Sequence, residues 1–286
     1  MKPVSGSGLL TGLRYGTVAL AVALGLGLVA TASAGEPKGA TGNTPGDKGN
    51  PTDTKANTPL TCNISFVDVP PTDAFYPYVM CLACQSIIGG YPCGAEGEPC
   101  NEINQPYFRP GLPVTRGQVS KIVALSAGFV EPVPTTQWTF ADVPPYHTFW
   151  VYVERLASRD VMQGYECGSA GEPCDDQNRP YFRPYDNTNR GQLMKIVNMA
   201  GGSGEFVGEA AGHRPTFTDV PATHHFYTYI EGLLAQRPGL VRGYACGGHG
   251  EPCNSSEDPY FRPEGLVTRA QTSKIVSNAF FPECTP

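Results

Sequence analysis

The chain has 286 residues, with 20 lysines and arginines against 26 aspartates and glutamates and a formal net charge of −6. That balance excludes a nucleic-acid binder, which needs a basic face. Ten cysteines point to an oxidising compartment and to disulfides.

Residues 1–34 read as a signal peptide: Lys2 and Arg14 supply the positive start, a short apolar core follows, and Ala32-Ser33-Ala34 offers a small-residue cleavage site. The apolar run is short against the ~20 residues of a bilayer span. Gly25 and Gly27 interrupt it, so cleavage is expected rather than retention as an anchor. Cleavage would leave 18 basic and 26 acidic side chains, net −8, with no stable membrane span. Residues 35–60 are rich in Gly, Pro, Thr and Asn and cannot bury enough surface to fold. They are expected to form a disordered linker with a reach of roughly 30 Å.

The rest of the chain is a threefold internal repeat, over residues 61–131, 132–207 and 208–286. Each copy opens with Phe-x-Asp-Val-Pro, at Phe66, Phe140 and Phe217, where the Asp side chain is expected to close a local turn. An aromatic-rich helix should follow, over Phe75 to Ile87, Phe149 to Asp160 and Phe226 to Gln236. It ends at Gly90-Tyr91, Gly164-Tyr165 and Gly243-Tyr244, which lead into a cysteine loop. Tyr-Phe-Arg-Pro comes next and is expected to be extended, because the residue before proline avoids the helical region. A second helix then starts at Thr115, Asn189 and Thr268. Gln118, Gln192 and Gln271 stand three residues on, as in a capping box. One such two-helix unit has a thin core, so the three are expected to bury their apolar faces against one another.

Cys93–Cys100, Cys167–Cys174 and Cys246–Cys253 are separated by the same six residues and are expected to form three local disulfides. One cysteine pair per repeat supplies too few soft ligands for a zinc site, so no metal and no cofactor is expected. Cys62, Cys81, Cys84 and Cys284 allow three pairings. Cys81-Leu-Ala-Cys84 has the spacing of a redox motif but sits inside a helix, which favours a structural role. If the repeats close into a ring, Cys284 should bond to a cysteine of the first repeat.

Arg116, Arg190 and Arg269 occupy the first helical position, where the helix dipole already places positive charge. Two readings stand level. The arginines pair with Asp68, Asp142 or Asp219 of a neighbouring repeat, or they join free backbone N–H groups in a site for a carboxylate or phosphate. Lys121, Lys195 and Lys274 follow about a turn and a half later, as further groove charges or as a solvated helix face. Tyr91, Tyr165 and Tyr244 would stack on a sugar ring or pack beneath the loop. Glu98, Glu172 and Glu251 are single carboxylates in separate repeats and make no acid/base pair. His147, His224 and His225 are replaced in the first repeat by Asp73 and Ala74, which argues for capping or surface roles.

The order of these blocks resembles the S-layer homology domain, in three tandem copies over residues 62 to 284. The resemblance implies a mainly α fold: three two-helix repeats in a pseudo-threefold spindle, here with disulfide-stapled loops. It implies an exported, non-enzymatic surface anchor that binds cell-wall polysaccharide, with Arg116, Arg190 and Arg269 meeting a sugar carboxylate. The chain departs from the pattern in having Gln for the motif's Glu, Asn189 for Thr, and Gly117 and Gly191 for Ala. A self-assembling coat or matrix subunit, whose grooves bind protein, is the alternative.

Overall fold

The computed structural model describes residues 62–201 and 214–284; the expected signal peptide and linker lie outside them. The described residues form six α-helices: α1 (Tyr76–Cys84), α2 (Arg116–Ser126), α3 (Trp150–Ala157), α4 (Arg190–Ala200), α5 (Tyr227–Gln236) and α6 (Arg269–Phe280). A short 3-10 turn, Pro282–Cys284, follows α6. β structure among them is confined to isolated bridges. None of the helices is long and apolar enough to cross a membrane.

The second helices begin where the capping boxes place them. Thr115, Asn189 and Thr268 each accept from the backbone of the glutamine three residues on, and that glutamine's side chain accepts from the cap residue's N–H. The first helices are shorter than their apolar periodicity predicts in two repeats. α1 stops at Cys84 and α3 at Ala157, because the chain then turns through left-handed Ser86 (φ 59°) and Asp160 (φ 56°). Asp73, His147 and His224 each accept the N–H of the residue that precedes the first helix, so the histidines do the capping work of the aspartate.

The helices pair across repeats rather than within them. α2 packs on α3, α4 on α5 and α6 on α1, while α2, α4 and α6 pack on one another at the centre. The buried stripes meet there: Val119, Ile122 and Val123 of the first repeat, Leu193, Ile196 and Val197 of the second, Ile275 and Val276 of the third. The residues before the three caps close a cycle of backbone hydrogen bonds. Val114 N–H donates to Val267, Val267 N–H to Thr188 and Thr188 N–H to Val114, at 3.1, 3.1 and 2.9 Å.

This packing explains a departure from the motif. A Cβ on Gly117 would lie 2.3 Å from the Phe149 ring, and one on Gly191 would lie 2.1 Å from the Phe226 ring. Glycine there lets the first helix of the next repeat seat its phenylalanine against the central helix. At the α6–α1 joint the same position is Ala270, which is buried.

All ten cysteines stand in pairs at disulfide distance. The three local pairs are the expected ones, each with Cα atoms 5.0 Å apart. Cys62 pairs with Cys84, and Cys81 on α1 pairs with Cys284 after α6, with Cα atoms 5.7 Å apart across 203 residues. α2–α3 and α4–α5 are neighbours in the chain; α6 and α1 are not, and the Cys81–Cys284 bond ties that joint.

Changing Cys81 and Cys284 together to serine should therefore cost about 2–4 kcal/mol, more than removing the Cys167–Cys174 loop bond. Urea unfolding of the two double variants measures this. Equal losses would mean that the α6–α1 joint holds without its staple.

Candidate functional site

Arg116, Arg190 and Arg269 are buried, at 7, 7 and 5% exposure. Each points into the next repeat. Arg116 Nε donates to the carbonyl of Phe182 at 2.8 Å, Arg190 Nε to that of Phe261 at 2.9 Å and Arg269 Nε to that of Phe108 at 2.7 Å. Arg116 and Arg269 add a terminal nitrogen on the carbonyls of Gln163 and Gly89, both at 2.8 Å. Burial pushes all three guanidiniums below the ordinary arginine pKa.

Neither sequence-based reading of these arginines describes this arrangement. Their hydrogen bonds go to carbonyl oxygens, not to Asp68, Asp142 or Asp219. Those aspartates do not close local turns either. Each accepts two backbone N–H groups about forty residues on: Asp68 from Phe108 and Arg109, Asp142 from Phe182 and Arg183, Asp219 from Phe261 and Arg262, all at 2.6–2.7 Å. The helix-start N–H groups are not free for an anion. Arg116 and Gly117 donate theirs to Asp186 and Pro184, and the corresponding pairs in α4 and α6 do the same to Gly265 and Pro263, and to Leu112 and Pro110.

The motif arginine and tyrosine picked from the sequence nevertheless meet across repeats at all three joints, and at one of them a motif lysine lines the same groove. The Tyr165 ring lies 5.1 Å from the Arg116 guanidinium, Tyr244 lies 5.2 Å from Arg190, and Tyr91 lies 5.0 Å from Arg269. Arg116, Tyr165 and Lys195 line one groove of about 390 Å³, with Gln192, Phe226 and Tyr229. Lys195 Nζ lies 5.0 Å from the Tyr229 ring, and Lys274 Nζ lies 5.3 Å from the Tyr78 ring. Lys121 and Tyr152 stand at the equivalent positions of the sequence. Sequence reasoning missed this second tyrosine, although it stands three residues after Phe75, Phe149 and Phe226 in every copy.

The motif glutamine has a second use here. Gln118 and Gln271, while accepting the cap N–H, donate to the hydroxyls of Tyr91 and Tyr244 at 3.3 and 3.0 Å. A glutamate could cap the helix but could not donate, so glutamine suits a groove that fixes the tyrosine.

Tyr-Phe-Arg-Pro is not extended at its arginine. Arg109, Arg183 and Arg262 have φ of 60, 59 and 58°, a left-handed conformation costly for a residue with a Cβ. Two carboxylates hold each one. The Asp described above takes the N–H, and Glu98, Glu172 or Glu251 grips the guanidinium through two bonds of 2.7–2.8 Å. The same guanidiniums lie 4.0–4.2 Å from the Tyr91, Tyr165 and Tyr244 rings. The cysteine loop is thus clamped to the groove tyrosine. The signal for this clamp was the fixed eleven-residue interval from Glu to Arg in all three copies.

Among the described residues, ligand atoms of His224, His225 and Glu264 come within 4.8 Å of one another. His224 Nδ1 accepts the Phe226 N–H, which keeps the ring proton on Nε2. A metal at Nε2 would have to displace that proton, so the group does not fit a metal site.

The family model of the S-layer homology domain matches residues 65–120 and 139–194. No curated protein matches the chain significantly. The first two repeats are thus similar to a domain that generally anchors proteins to cell-wall polysaccharide.

Arg116→Ala should destabilise the chain by about 2–3 kcal/mol, because it strands the Phe182 and Gln163 carbonyls at a buried joint. Chemical denaturation measures this, and a loss below about 0.5 kcal/mol would show the joint to be independent of the guanidinium. The Glu172 clamp predicts a pH effect. Arg183 holds the Glu172 carboxyl below the ordinary glutamate range, chiefly through their hydrogen bonds. The clamp's contribution is therefore present above the unfolded-state pKa and lost as pH falls through the lower folded-state pKa. The melting temperatures of wild type and Glu172→Gln should differ at neutral pH and converge in acid; a constant gap would exclude the clamp as its source.

Proposed function

We propose that the chain is an exported, non-enzymatic surface anchor in which three S-layer-homology-type repeats, 61–131, 132–207 and 208–286, bind anionic cell-wall polysaccharide. Export rests on the signal-like residues 1–34. The observation that carries the binding reading is the composition of the grooves. The Arg116 groove joins that arginine to Tyr165 and Lys195 of the second repeat and to Tyr229 of the third. Aromatic faces suit the apolar faces of a sugar ring, and a lysine beside them suits its carboxylate. Because Arg116, Arg190 and Arg269 are committed to carbonyls, Lys121, Lys195 and Lys274 and the second tyrosines carry most of the ligand contact. The motif arginines brace Tyr91, Tyr165 and Tyr244 from behind. Grooves on one body raise avidity wherever the glycan repeats its charged sugar.

The test is co-sedimentation of the folded chain with purified cell-wall sacculi, before and after the attached polysaccharide is stripped. Binding should vanish on stripping and weaken about tenfold per affected groove, ~1.4 kcal/mol, in Lys195→Ala or Tyr229→Ala. These substitutions spare the arginine joint. Folded chain that ignores both preparations, or forms ordered arrays without them, would overturn the anchor reading in favour of a coat or matrix subunit.

A further inference from the structure

The grooves are not alike, and the one at the α6–α1 joint has a different charge. Between Phe149 and Gly164 there are 14 residues, as between Phe75 and Gly90, but between Phe226 and Gly243 there are 16. The longer segment carries Arg237-Pro238-Gly239 after α5. Just before the Gly-Tyr pair, the third repeat has Arg242 where the others have Gly89 and Gln163. The reshaped segment borders a cavity of about 670 Å³, lined by Arg237, Arg242, Lys274, Tyr78 and Asn278 among others, with no carboxylate in the lining. The Arg116 groove, by contrast, includes Asp160, and the third repeat has Gly239 at the corresponding left-handed position. One acid has been lost and two guanidiniums gained, in a chain whose net charge is negative.

Two further observations separate this groove from its counterparts. Gly243 takes φ +71°, while Gly90 and Gly164 stay outside the left-handed region. Arg190 keeps its Nε bond to Phe261, but among the described residues no bond joins its terminal nitrogens to the residue 242 carbonyl, as Arg116 and Arg269 bond to Gln163 and Gly89. Arg237 sits at the end of α5, where the helix dipole favours a cation. Arg242 has no such local reason, and neither has a carboxylate partner among the described residues.

We propose that this groove, lined by Arg237, Arg242 and Lys274, binds a phosphate-bearing group. A single sugar carboxylate uses one cation, as the Arg116 groove provides in Lys195. Two guanidinium forks and an ammonium without a counter-charge match a group with more than one negative charge and three acceptor oxygens. This deepens the polysaccharide reading at one groove and rests on it only for the ligand's source, a phosphate ester of a wall polymer or a lipid headgroup.

The test is titration of the disulfide-bonded chain with inorganic phosphate at pH 7.5 and constant ionic strength, following the arginine Nε–H signals by NMR, with acetate as control. Phosphate should saturate the Arg237 and Arg242 signals at a Kd at least tenfold below that of acetate. Arg237→Ser with Arg242→Gln, both at exposed positions, should abolish this, and Lys195→Ala should not. Equal weak responses to both anions, or saturation that survives the double substitution, would overturn the proposal. Sacculi with and without hydrofluoric acid treatment, and phosphatidylglycerol vesicles, then separate the two sources. Retention that depends on Arg237 and Arg242 in either arm supports the site. Phosphate binding without any affinity for sacculi would remove the wall-anchor reading and leave this one. Sedimentation through the Lys195 groove without a phosphate response would do the reverse.

Discussion

The structure depends on one contact made three times: the first turn of a second helix hands its N–H groups and its arginine to the carbonyls of the next repeat. Locally the arrangement is unfavourable, since a guanidinium sits at the positive end of a helix and gives up water. It holds because the carbonyls of Phe108, Phe182 and Phe261 belong to fully buried residues and need donors. The arginine supplies one beside the phenylalanine ring, at 4.5–4.7 Å from guanidinium to ring. The Val114–Val267–Thr188 backbone cycle runs alongside this contact. Because α1 packs on α6, α3 on α2 and α5 on α4, no repeat owns a complete helix pair. The repeats therefore fold as a set.

The same contact makes the grooves. The tyrosine that each motif arginine faces stands two residues after the carbonyl taken by Arg116 and Arg269, and the lysine lies one to two turns along the second helix of that same repeat. The Arg116 groove takes its lining from all three repeats, so it exists only when they have docked. In the proposed function, binding and folding share residues at Arg116, Arg190 and Arg269 but separate at the lysines and the outer tyrosines. That is why loss of binding in an arginine variant would not by itself identify a ligand contact.

What the sequence made legible was local. The capping boxes and the loop disulfides carry their signal within a few residues of where they act. Asp68 looked like a turn residue because its partners, Phe108 and Arg109, lie forty positions away. Arg109 looked extended because the rule for residues before proline knows nothing of the two carboxylates that hold it left-handed. The motif arginine defeated both readings for one reason. Its partners are backbone carbonyls, which leave no trace in residue identity. Gly117 and Gly191, which weakened the match to the motif, turned out to be the complement of Phe149 and Phe226.

The departures from symmetry are concentrated where the topology differs. A cycle of three repeats on one chain has three joints, and chain continuity spans only two of them. At the α2–α3 joint the connecting segment is part of the packing, with the Glu131 carbonyl accepting two bonds from Arg155. At the position of Arg155 the first repeat has Cys81, and the α6–α1 joint is held by its bond to Cys284 instead. A disulfide fixes two points and fills little space. The joint it secures is accordingly the one beside the 670 Å³ cavity, with Pro282 at its margin and the lengthened Arg237–Gly239 segment across from it. The three cations that line the cavity, Arg237, Arg242 and Lys274, distinguish it chemically from the Arg116 groove, which has Lys195 and Asp160.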